Sequence, residues 1–165
     1  MITVSVERDD GIPDRVPSAK ALSTFAEFVV EALSSKLKLA SDWQMSVIVL
    51  DDEAMRAVNR EHRGKDRPTD VLSFPLCEFD AGDDSEVQFP GQPRLLGDLL
   101  ISYEAAVRQA EAIGHDLEAE FERLMVHGIL HLFGYDHETS EQDRLQMEAL
   151  EDELLVLWDN RLSHR

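Results

Sequence analysis

A chain of 165 residues with 43% hydrophobic and 30% charged content reads as one ordinary globular domain. No apolar run in it approaches the ~20 residues of a membrane span. Its 34 acidic against 16 basic side chains leave a net charge of −18, which argues against a nucleic-acid partner unless the chain holds a local basic patch.

The amino terminus, MITVSVERDDG, has neither a basic n-region nor an apolar h-region and does not read as a signal peptide. ITVSVE (2–7) alternates and is rich in β-branched residues, which predicts a strand. Pro13 and Pro17 break the chain, and from Ser18, a plausible N-cap, apolar residues at 22, 25, 29, 33 and 37 predict an amphipathic helix. WQMSVIVL (43–50) is the second expected strand. DDEAMRAVNREH (51–62) opens with acids suited to a helix N-terminus. TDVLSF, between Pro68 and Pro75, is a short third strand. Residues 77–93, acidic and rich in Gly and Pro, read as a mobile loop. LLGDLLIS (95–102) is the fourth strand, and Ser102 caps a helix that stops at Gly114. A further helix runs from Asp116 to Phe133, apolar on nearly every side and therefore central and buried. Thr139 and Gln142 predict a capping box for the last helix, with Met147, Leu150, Leu154 and Leu157 as its core stripe. Together these elements predict a single α+β domain over residues 1–165, a central mixed β-sheet of about four strands flanked by helices.

Three of the six histidines fall in VHGILHLFGYDHE (126–138). His127 and His131, four apart, stack on one helix face, as when two imidazoles share one zinc ion. A third ligand from the next turn would point away, so the chain must leave the helix and double back. Gly134 stands where such a turn needs a left-handed residue, and the reversal brings His137 round to the pair. Three His ligands with an open fourth position describe a catalytic zinc site on a central helix and its following turn. By chance the pattern arises on the order of once in ten thousand chains of this length. The single cysteine, Cys77, excludes a Cys-rich structural zinc site and an intramolecular disulfide, and fits a reducing cytoplasm. His62, His115 and His164 read as core or exposed residues rather than ligands.

The histidine spacing is that of the metzincin zinc proteases, but Gly128 occupies the place of their catalytic glutamate. A peptidase reading is demoted accordingly. The basic patch that RNA would need lies in NREHRGKDRPTDVLSFP (59–75), where Arg60, Arg63, Lys65 and Arg67 fall close together. Arg60 and Arg67 are equally readable as partners of surface acids such as Glu61 and Asp66. Arg63, before Gly64 and expected in a loop leading to a strand, is the better candidate to clamp a phosphate bidentately.

RGKDRPTDVLSFP, LLGDLLIS and HGILHLFGYDH, in this order, resemble the YbeY family of bacterial endoribonucleases and rRNA maturation factors, and the likeness runs over most of the chain. The resemblance implies a zinc-dependent, single-strand-specific endoribonuclease that matures ribosomal RNA, notably the small-subunit 3′ end, and takes part in ribosome quality control. It implies one Zn2+ per chain on His127, His131 and His137, Arg63 as the catalytic arginine, and a metal cleft beside a mixed sheet. Its partners would be single-stranded RNA, the small ribosomal subunit and assembly factors in the cytoplasm, with no membrane. The family also lacks the protease glutamate, so Gly128 belongs to its pattern. Arg60, Lys65 and Arg67 are candidates for further phosphate contacts. Asp70 and Asp98, and less so Asp136, are candidates for a general base or for a partner to a ligand imidazole, or else they cap turns. Whether metal hydroxide or the RNA's own 2′-OH attacks does not follow from the residues. Two other classes stay open: a zinc peptidase, and a non-catalytic ribosome-assembly factor with a structural metal.

Overall fold

The computed structural model describes residues 1–39, 42–79 and 92–164. Most of the expected loop 77–93 lies outside them. Among the described residues four strands form one sheet: β1 (Ile2–Arg8), β2 (Trp43–Leu50), β3 (Val71–Pro75) and β4 (Arg94–Ser102), in the order β1-β2-β4-β3. β1, β2 and β4 run parallel and β3 runs antiparallel to β4. Five helices accompany them: α1 (Ala19–Lys36), α2 (Asp52–Arg63), α3 (Tyr103–Ile113), α4 (Leu117–Leu132) and α5 (Glu141–Ser163). This is the α+β domain expected, with one mixed sheet. No helix among the described residues is long and apolar enough to cross a membrane.

Strand alternation separates two cores. Trp43, Met45, Val47, Val49, Leu99 and Ile101 point to one face, where α1, α4 and α5 close the main core. Their neighbours Leu50, Leu72 and Leu100 point to the other and meet Met55 of α2 in a small second cluster. α4 is the most deeply set helix, with Phe121, Met125, Val126, Ile129, Leu130 and Leu132 removed from solvent. Burying six such side chains, each worth roughly 1.5–3 kcal/mol, anchors the element that carries two of the three clustered histidines.

Ser18 and Ser102 cap their helices as expected, and Asp51 and Asp116, where helices were expected to open, also serve as N-caps. Each accepts a hydrogen bond from the backbone N–H three residues on. The last helix departs from expectation by one residue. Its N-cap is Ser140, whose Oγ accepts the N–H of Asp143 at 3.0 Å, while the Thr139 hydroxyl bonds the Asp143 carboxylate. An acid at the third helical position thus serves both hydroxyls, and Gln142 takes no part in the cap. Its core stripe also shifts: Leu157 is 45% exposed and Trp158 is buried in its place. Trp158 packs edge-on to Phe25 at 5.1 Å and donates Nε1–H to Glu122 at 3.1 Å, contacts Leu157 could not make. α1 likewise ends its stripe at Leu33, with Leu37 as the partly exposed C-cap. β3 begins at Val71 and ends on Pro75, which an edge strand tolerates.

Glu122 carries a pH dependence. Burial pushes its carboxyl up to about 7, the Trp158 bond opposes this, and nearby Glu118, Asp159 and Asp116 add to it. The folded state therefore holds a proton that the unfolded chain, with a carboxyl near 4.5, releases. Stability falls as pH rises from about 4.5 through 7 and stays lower above. Glu122→Gln keeps an acceptor for Trp158 and removes the charge. At pH 8 it should raise stability by about 1–2 kcal/mol, the side chain being half in water, and at pH 5 change it little. Urea unfolding at the two pH values checks this. An equal change at both would mean the carboxyl titrates normally.

Candidate metal centre

α4 presents His127 and His131 from successive turns, and the chain then reverses. Phe133 caps the helix, Gly134 follows with φ +89°, and two bonds close the turn: Gly134 N–H to the His131 carbonyl at 3.0 Å and Tyr135 N–H to the Leu130 carbonyl at 3.1 Å. That is the double-bonded glycine C-terminus in which φ is left-handed, as expected of Gly134. It returns His137 to the pair. The ring centroids of the three imidazoles lie 4.7 to 5.2 Å apart, and one nitrogen from each falls within 4.8 Å of the others.

The cluster fits one ion. Nitrogens about 2.0–2.1 Å from a tetrahedral metal stand roughly 3.3 Å apart; His127 Nε2 and His131 Nε2 are 3.2 Å apart. The Nδ1 of His137 is buried without a hydrogen-bond partner, which is costly for a nitrogen that holds nothing. Burial pushes the His131 pKa down, and the neighbouring His127 and His137 lower it further. A neutral imidazole is the form that ligates. Three donors leave room for a further ligand on the side of a cleft of about 570 Å3.

His127 Nδ1 is held at 2.7 Å by Glu151 of α5. This leaves its Nε2 free to face the other two rings, the usual outer carboxylate of a metal-bound histidine. The sequence reading missed Glu151. Its signal was there: it follows Met147 by four in α5, an acid within a core-facing stripe.

Arg63, Lys65 and Arg67 line the same cleft as the three histidines. None of the three is ion-paired among the described residues. Arg63 lies in the last turn of α2 rather than in the loop expected for it. Arg60 is elsewhere: it does not line the cleft and lies 3.8 Å from Asp66. Asp70 and Asp136 both line the cleft as turn caps. Asp70 accepts the Val71 N–H at 2.8 Å and Gln109 Nε2 at 3.1 Å, and Asp136 accepts the Glu138 N–H at 2.9 Å. Neither bonds an imidazole. Asp98 points to the opposite face of β4 from Leu99, into a separate hollow beside Ser46 and Gln44, and does not meet the histidines. The other three histidines stand apart, as expected. His115 bonds the buried Glu120 at 2.6 Å, His62 packs edge-on to Phe74, and His164 bonds the Asn160 carbonyl.

Gly128 now has a reason. A Cβ there would stand 2.1 Å from Leu99 Cδ1 and 3.2 Å from both Ser73 Oγ and Val71 Cγ2. The helix lies directly on β3 and β4, and the Ser73 hydroxyl donates to the Gly128 carbonyl at 2.9 Å. The room a protease glutamate would need is filled by the sheet. Gly128→Ala should therefore cost about 1–3 kcal/mol by overpacking, although alanine is intrinsically the better helix former by about 1 kcal/mol. Denaturant midpoints measure it, and a midpoint at or above wild type would show that the helix has slack.

Sequence comparison places these features among known relatives. The family described as "Endoribonuclease YbeY" matches residues 12–159. Proteins named Endoribonuclease YbeY include one from Sulfurihydrogenibium, 43% identical over 143 residues (87% of this chain, 88% of that protein). One from Leptospira biflexa is 48% identical over 115 residues (69% of each). The solution structure of TM1509 from Thermotoga maritima superposes with a TM-score of 0.58 at 27% identity, covering 100% of this chain and 96% of that one.

Proposed function

The chain belongs to the YbeY endoribonuclease family, and on that premise we propose that it is a zinc-dependent, single-strand-specific endoribonuclease maturing ribosomal RNA. The observation that carries this is one cleft lined by a three-imidazole cluster and by three cations that have no ion-pair partner among the described residues. His127, His131 and His137 would hold the zinc ion, which would supply Lewis acidity. Arg63 offers a planar fork of donors to a phosphate and opposes the negative charge that develops there. Lys65 and Arg67 hold neighbouring phosphates. Glu151 keeps the His127 ring oriented. The net charge of −18 confines RNA to this cleft, because most of the remaining surface repels phosphate. The small-subunit rRNA 3′ end, within a cytoplasmic cycle of ribosome assembly and quality control, is the substrate this reading assigns.

The test is to incubate zinc-loaded protein with single-stranded RNA, its duplex, and an unstructured protein substrate, each with and without chelator. Chelator-sensitive cutting of the single strand alone is expected. Cleavage of the protein and not of RNA would return the reading to a peptidase. The Glu151 contact adds a second expectation: Glu151→Ala should weaken zinc binding about 10–100-fold, and Glu151→Gln, which keeps an acceptor, should recover part of it. Chelator competition measures both, and unchanged affinity in the alanine variant would remove Glu151 from the site.

A further inference from the structure

The segment between α2 and β3 carries Lys65 and Arg67, two of the cleft's cations, and follows directly on the third, Arg63, yet it is held by residues that bring no positive charge to it. Asn59, buried on α2, donates Nδ2–H to the Arg67 carbonyl at 2.8 Å, and its backbone carbonyl accepts the Lys65 N–H at 3.4 Å. At the other end, the Asp70 carboxylate accepts Gln109 Nε2 of α3 at 3.1 Å. Gln109 Oε1 accepts a guanidinium N–H of Arg123 at 3.1 Å, and Arg123 in turn bonds Glu120, which is fully buried in α4. A continuous chain of hydrogen bonds thus joins the helix that carries His127 and His131 to the foot of the basic segment. Asp66, the acid among these cations, is drawn away to Arg56, with bonds of 2.9 and 3.0 Å, and does not line the cleft.

We propose that residues 64–70 form a pre-organised phosphate-binding strap, with Asn59 and Gln109 as the positioning residues that set its shape and its distance from the three histidines. Its ligand is a run of consecutive phosphates in a single RNA strand, so the assignment rests on the endoribonuclease reading above. An unanchored loop bearing two long cationic side chains loses conformational entropy when it binds. Anchors that order it beforehand remove that cost from the binding step. The two anchors act differently. Asn59 shapes the strap itself, so its loss weakens binding. Gln109 ties the strap to α4, so its loss misplaces the bound phosphate relative to the histidines and slows the chemical step.

Neither substitution changes a charge, which separates positioning from simple attraction. The experiment is single-turnover cleavage of a short single-stranded RNA by the zinc-loaded full chain, over a range of enzyme and salt concentrations, with zinc content and melting temperature recorded. Asn59→Ala should raise the half-saturating concentration roughly 10-fold. It should also flatten the salt dependence, which for three phosphates on a single strand has a log–log slope of about −2. Gln109→Met, close to isosteric and half-buried, should keep zinc and half-saturation near wild type while the maximal rate falls about 10-fold or more. If Asn59→Ala fails to fold, Gln109→Met decides alone. Wild-type rates, half-saturation and salt slope in the folded variants, with or without a lower melting temperature, would overturn the strap and leave the nuclease reading intact. A wild-type protein that neither binds nor cuts the RNA would overturn both.

Discussion

Arg63→Ala should lower RNA cleavage on the order of 10²–10³-fold, about 2.7–4 kcal/mol of transition-state stabilisation, while zinc content and fold stay as they are. The structure supports the separation. Arg63 ends α2, is exposed, and has no ion-pair partner among the described residues, so truncating it removes no packing and orphans no carboxylate. Surface changes of that kind usually move stability by less than about 0.5 kcal/mol. It is not one of the three clustered histidines, which come from α4 and the turn after it. Arg63→Lys should restore little, because a point charge does not reproduce a two-donor fork. Single-turnover rates beside elemental analysis of zinc decide the matter. An alanine variant that cuts at the wild-type rate would move the phosphate clamp to Lys65 and Arg67, the other cations of the cleft.

His131→Ala should remove tight zinc binding and bring cleavage to background. His131 is the second helical member of the cluster: its Nε2 is 3.2 Å from that of His127, and its ring is 5.2 Å from that of His137. Without it two imidazoles remain, one on a helix and one on a turn, and the loss in affinity should exceed the roughly 100-fold that removing an outer hydrogen-bond partner costs at most. The apoprotein should fold normally, since α4 is held by its apolar side chains and by the Gly134 turn, neither of which involves the imidazole ring. Elemental analysis and circular dichroism provide the two readouts. A full equivalent of zinc in a folded His131→Ala would mean that the three histidines are not the metal site.

The two variants separate metal from phosphate chemistry, and their combination with Asn59→Ala and Gln109→Met orders the cleft by role. Loss of zinc belongs to the histidine cluster, loss of rate with zinc retained to Arg63 or, without a change in charge, to Gln109, and altered binding without a change in charge to Asn59. Residues that touch one another, such as Gln109 and Arg123 at 3.1 Å, are not expected to give additive effects.

What could be read from residues in order was local. A cap hydroxyl three residues from the N–H it accepts, a 3.6-residue apolar period, and two histidines one turn apart depend on dihedrals and bonds within a few residues. Hence Ser18, Asp51, Ser102 and Asp116 begin helices as expected, and the Gly134 reversal brings His137 to its partners. Where two neighbours competed for one role, adjacency did not choose. Ser140 over Thr139 was decided by which hydroxyl accepts the Asp143 N–H, and Trp158 over Leu157 by which side chain reaches the Phe25 and Glu122 contacts. The remaining assignments join distant stretches: the strand order β1-β2-β4-β3, Glu151 on the His127 ring, Asp98 on the far face of the sheet, and the close approach of Leu99 that leaves Gly128 no room for a side chain. None has a short-range signature. Each follows from the lowest-cost way to bury two faces of one sheet, a sum over the whole chain that no single segment carries.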